Sequence, residues 1–165
     1  MGSESELAEN EVEDLDLEPY SELLNEELSN ENLEKILEML IEENFAERGC
    51  LWMPTRDLVY IGDEVLRLQF PFSRSVIRNV LSRGRGLVSF DPSSDERLGT
   101  SQSIAAHNVR SCLCSAAHNA DGEILAIAYF DNQASGGNFS EDDLHFLNKV
   151  MDLFPEAVSR AQDKA

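Results

Sequence analysis

The sequence predicts an α+β sandwich, an antiparallel sheet of about five to six strands with N- and C-terminal helices on one face and a loop and short-helix lid on the other. Three observations carry that expectation. Two amphipathic helical stripes bracket the chain, one at Leu33, Ile36, Leu37, Leu40 and Ile41 and one at Leu144, Leu147, Met151, Phe154 and Val158. Between them fall short apolar runs of strand length separated by turn residues. The run at 123–131 is apolar on both alternating sets, with Ile124, Ala126, Ala128 and Phe130 on one side and Leu125, Ile127 and Tyr129 on the other. Both faces of that strand must therefore be covered.

Each element follows in chain order. Residues 1–19 are acidic with few large apolar groups and cannot offset the entropy of ordering, so they are expected to form a mobile segment ahead of a single domain at 20–165. Ser29 or Asn30 caps the first helix, and Leu23, Leu24 and Leu28 either extend it or form a short helix before it. Apolar segments near 49–53 and 57–61 read as the first two strands, joined at Pro54–Asp57. Val76, Ile77, Val80 and Leu81 sit at helical spacing within 73–82, and Gly84 and Gly86 stop that helix. Leu87–Phe90 is a third strand, and 92–108 a polar loop with a short helix at 101–107. The runs 109–117 and 123–131 flank Asn119-Ala-Asp-Gly122, the clearest hairpin turn in the chain. Ser140-Glu-Asp-Asp143 opens the last helix with a capping box, and Pro155 must break or kink it near Phe154.

Formal net charge is −19, and it is uneven: residues 1–48 hold 17 acids and two bases, the remainder 15 acids and 11 bases. Such a surface repels phosphate backbones and anionic lipid, so neither nucleic acid nor membrane is an expected partner. No apolar run approaches the roughly 18–20 residues of a membrane span. Three cysteines leave one over in any pairing and no secretory leader precedes them, which predicts a reducing, cytoplasmic setting. Cys112 and Cys114 stand two apart on one strand, too far for a comfortable mutual disulfide and without a second ligand pair for zinc; no metal site is predicted. The stretch 66–89 carries Arg67, Arg74, Arg78, Arg83 and Arg85 and no acid. Arg74 and Arg78 lie one helical turn apart and form a candidate anion dock, for a phosphate-bearing ligand or the acidic front segment. The bland alternative is a solvated helix face.

Several pieces fall in a familiar order: Phe72-Ser-Arg-Ser-Val76, then Asp91 to Arg97 into Ser101-Gln-Ser-Ile104, then Val109-Arg-Ser-Cys-Leu-Cys114, then Leu125 to Asn132. Over roughly residues 30–160 the chain resembles a GAF domain, of the kind found upstream of bacterial cyclases, kinases and transcriptional activators. A PAS-related fold shares the element order, and the motif order decides for GAF. The resemblance implies a non-catalytic sensory module, with its ligand on the sheet face opposite the terminal helices. Matched position by position, Ser101, Gln102 and Ser103 belong to the lid, and Cys112, Cys114, Tyr129 and Asp131 to the flanking strands. The resemblance leaves the ligand or cofactor unknown, and implies a homodimer through the terminal helices and a signalling output protein. A ligand-free dimerisation or adaptor domain is the alternative; the free methionine-(R)-sulfoxide reductases are a minor catalytic one, whose loop cysteines do not align here. Cyclic-nucleotide-binding members carry Asn-Lys, then Phe, then Asp-Glu; here Asn132 precedes Gln133, and Phe139 leads to Asp143 and Leu144, so half of that signature is missing.

Overall fold

The computed structural model describes residues 17–54, 59–61, 74–84, 86–89, 95–96, 109–133 and 139–163. Within them the chain runs α1 (17–26), α2 (Asn30–Asn44), β1 (Arg48–Trp52), β2 (Val59–Ile61), α3 (Arg74–Arg83), β3 (Leu87–Ser89), β4 (Ser111–His118), β5 (Ile124–Asn132), α4 (Glu141–Met151) and α5 (Phe154–Asp163). The five strands form one antiparallel sheet in the order β2-β1-β5-β4-β3. The expected lid at 92–108, including the short helix at 101–107, lies outside the described residues apart from 95–96, as do 1–16 and the 55–58 connection.

Local chemistry sets the helix boundaries. Ser29 caps α2 by accepting the Asn32 N–H at 3.1 Å, and the Asn32 side chain donates to the carbonyls of Leu23 (3.2 Å) and Glu27 (2.9 Å). Asn32 thus ends α1 while starting α2, which is why Leu23, Leu24 and Leu28 belong to a separate short helix and its link. That helix begins at 17, so Leu17, Glu18 and Pro19 are ordered where composition alone places them in the mobile segment. Leu17 and Leu23 pack on the core, which supplies the burial that a composition average hides.

α2 ends in a left-handed residue, Phe45 (φ 54°, ψ 40°), with Phe45 N–H directed to Glu42 O and Ala46 N–H to Ile41 O at 3.0 Å. Those two bonds are the Schellman pattern, in a position where glycine is usual.

The hairpin turn matches its residues. Asn119 Oδ1 accepts the N–H groups of Asp121 (3.0 Å) and Glu123 (2.9 Å), and Gly122 takes φ +82°, a conformation that costs glycine nothing. Just beyond it the register shifts, pairing Ala117 with Ala126 but His118 with Ile124. Leu125 is the extra residue of this bulge. Strict alternation therefore fails at the start of β5: Leu125 packs with Ala126, Ala128 and Phe130 on the helix side, and Ile124 joins Ile127 and Tyr129 on the other.

Two cores result. On one face Leu33, Ile36, Leu37 and Leu40 of α2, with Leu147, Met151 and Phe154 of α4 and α5, cover Leu51, Leu113 and Phe130. On the other, Val76 and Val80 of α3 cover Cys50, Leu87, Cys112, Cys114, Ile127 and Tyr129. The capping box forms as read, with Ser140 Oγ accepting Asp143 N–H at 3.1 Å and Asp143 Oδ2 accepting Ser140 N–H at 2.9 Å. The final stripe is two helices, α4 and α5, and Pro155 stands in the first turn of α5, where a missing N–H is harmless.

Candidate functional site

Strand register gathers the chemistry on the sheet face beneath α3. Residues directly opposite one another share a face, so Cys50, Tyr129, Cys114 and Leu87 form one row across β1, β5, β4 and β3. Arg48, Asp131, Cys112 and Ser89 form the next. Cys112, Cys114, Tyr129 and Asp131, all expected near a ligand, are brought together. Ser101, Gln102 and Ser103 lie outside the described residues. The α3 arginines do not join the group: Arg78 is exposed on the opposite side of the helix from buried Val76 and Val80, and the Arg74 side chain lies outside what is described.

Three residues on this floor escape a sequence reading. Arg48 is 3% exposed and meets the fully buried Asp131 in a two-pronged ion pair, Nε to Oδ1 at 2.5 Å and Nη2 to Oδ2 at 3.0 Å. Tyr129 Oη donates to the same Oδ2 at 2.7 Å. Burial pulls the Arg48 guanidinium down, yet the hydrogen bond and charge of Asp131 outweigh it and leave the group raised and firmly cationic. Ser89 is the second, buried with a hydroxyl that has no hydrogen-bond partner among the described residues. Cys50 is the third, beside Tyr129. The one available signal for Arg48 is that, of two bases in the first 48 residues, it is the one entering an apolar strand.

All three thiols are free and buried. Burial, then the Asp131 carboxylate, pushes Cys50 up; burial, then Cys50 and Cys112, pushes Cys114 up. They stay protonated near neutrality, so neither is a ready nucleophile. Stability should depend on them at high pH. Unfolded thiols ionise near their ordinary value of 9.0, while the folded ones hold their protons. Stability present below pH 9 is thus lost as pH rises beyond it, by up to about 1.4 kcal/mol per pH unit for each thiol. Urea unfolding at pH 8, 9 and 10 should show that decline, and the double variant Cys50→Ala/Cys114→Ala should flatten it.

The profile of the GAF domain family matches residues 30–157, most of the chain. The chain belongs to the GAF domain family. GAF domains serve as regulatory and sensory modules in signalling proteins. A curated relative, the dual 3′,5′-cyclic-AMP and -GMP phosphodiesterase 11A of Takifugu rubripes, is 30% identical over 112 residues, covering 63% of this chain. The match spans only 12% of that relative's length. Among solved structures, the free methionine-R-sulfoxide reductase of Neisseria meningitidis superposes with a TM-score of 0.66 at 14% identity, covering 88% of this chain and 87% of that one. The GAF domain/HD domain protein of Geobacter sulfurreducens gives 0.60 at 14% identity, covering 81% and 93%. At these identities the structures speak for the fold alone.

Within this GAF domain, the surviving half of the cyclic-nucleotide signature is used structurally. Asn132 faces the terminal helices, accepting the Glu47 N–H at 2.6 Å and donating to the Phe45 carbonyl at 3.3 Å. Asp143 is engaged in the capping box. No helix among the described residues is long and apolar enough to cross a membrane.

Proposed function

We propose that this GAF domain is a non-catalytic, cytoplasmic regulatory module whose sheet floor receives a small molecule and relays occupancy through the terminal helices to an output domain or partner protein. The composition of the floor supports this reading. An ion pair at this depth is a poor way to hold two neighbouring strands together, since apolar residues of similar volume hold a fold as well or better. A few fixed polar groups on an otherwise apolar surface are what recognition of a polar molecule requires, and Ser89 still offers its hydroxyl. The cyclic nucleotides named for the fish relative fit less well, because the signature lysine is replaced by Gln133 and the matching asparagine turns to the other face. Reductase chemistry fits poorly too, with Cys50 and Cys114 held protonated beneath α3.

One observation favours the ligand-free adaptor as the second reading. Asp131 is engaged by both Arg48 and Tyr129, so the buried carboxylate is paired and hydrogen-bonded without a ligand. Native mass spectrometry of the protein purified from its source cells separates the two. The sensor predicts a retained small molecule that is released on denaturation and lost in Ser89→Val. A clean apo mass, with no thermal shift from cyclic AMP or cyclic GMP, selects the adaptor.

A further inference from the structure

The other face of the molecule carries an exposed anchor. Phe45 is 83% exposed, although it is a large apolar residue in a left-handed conformation that disfavours any side chain with a Cβ. Its backbone is fixed on both sides, by the N–H bonds into α2 and by the Asn132 side chain on the Phe45 carbonyl and the Glu47 N–H. The backbone that carries the ring is thus fixed, while the ring itself projects into solvent. Beside it lies a hollow of about 480 Å³ lined by Pro19, Tyr20, Met39, Glu42, Glu43 and Phe45.

Charge decides what fits there. From Glu18 to Glu47 the surface presents ten exposed glutamates, while its one exposed base, Lys35, is bridged to Glu31 at 3.6 Å. A second copy docked on this face would set acids against acids, which costs binding, whereas a basic partner is both steered and held. The acidic segment at 1–16 is excluded for the same reason.

We infer that the Phe45 groove is a docking surface for a partner protein's basic amphipathic segment, its apolar side chains against Phe45 and Met39 and its Lys or Arg residues against Glu42 and Glu43. An exposed aromatic on a fixed backbone, at the rim of a hollow lined by both apolar and acidic side chains, has the form of an interface anchor for an apolar and basic segment. This inference stands whether or not the sheet floor binds anything.

Fluorescence anisotropy of a labelled 18-residue peptide, leucine at helical a and d spacing and lysine or arginine elsewhere, tests it on the full chain. The basic peptide is expected to bind, and its glutamate counterpart not to. Phe45→Gly relieves the left-handed residue, so its thermal midpoint should equal or exceed that of the unaltered chain while binding falls at least about tenfold. Glu42→Lys/Glu43→Lys should weaken binding and lessen its salt dependence. Equal binding to Phe45→Gly would reduce the effect to bulk charge and overturn the proposal, as would no binding of the basic peptide. A dimer in sedimentation analysis that Phe45→Gly dissolves would also overturn it, by assigning the groove to a second copy.

Discussion

Arg48→Met is expected to lower the unfolding free energy by about 3–5 kcal/mol, because it strands the Asp131 carboxylate in the interior with the Tyr129 hydroxyl as its one remaining hydrogen-bond partner among the described residues. Most of that loss is the penalty of an uncompensated charge, not the worth of the pair. Replacing the whole constellation gives a different answer. Arg48→Met/Asp131→Leu/Tyr129→Phe removes both charges and the hydroxyl together, and stability should return to within about 1 kcal/mol of the starting protein or exceed it. Urea unfolding at neutral pH measures both. A single-variant loss below about 1 kcal/mol would mean that water reaches Asp131. If the floor is a recognition surface, the triple variant keeps the fold and loses the ligand.

This pair also marks the limit of what could be read from the chain. Local periodicity sufficed for α2, α3, the β4–β5 hairpin and the Ser140 cap, since each depends on neighbours a few residues apart. Asp131, Tyr129, Cys112 and Cys114 were legible as candidates through motif order. Their partner Arg48 lies 83 residues from Asp131, and only the β1–β5 register unites them. No pattern within β1 announces that register. The bulge at Leu125 is hidden for a similar reason: its sequence alternates acceptably in either phase, and the turn geometry chooses. Phe45 carries no signal in the chain, because a left-handed helix end is ordinarily marked by glycine.

Phe130→Ala is expected to cost about 3–5 kcal/mol, the price of a large void at the centre of the helix-side core. Its ring also explains Gly49. A Cβ on Gly49 would lie 2.5 Å from Phe130 Cδ1 and 3.2 Å from the Tyr129 carbonyl oxygen, so the ring occupies the place of the missing side chain across the β1–β5 ladder. Gly49→Ala alone should then cost about 1–3 kcal/mol through overpacking. In Gly49→Ala/Phe130→Leu the smaller side chain can yield, so the deficit should fall short of the sum of the Gly49→Ala and Phe130→Leu singles. Additivity within about 0.5 kcal/mol in chemical denaturation would show that the clash lies with the Tyr129 carbonyl instead.

Adjacent residues of β5 grip the same short stretch of chain from opposite sides. Asp131 holds Arg48 beneath α3, while Asn132 holds the Phe45 carbonyl and the Glu47 N–H among the terminal helices. The span from Phe45 to Arg48 is therefore tied to one strand from both faces of the sheet, with two residues, Ala46 and Glu47, separating the buried guanidinium from the solvent-facing ring.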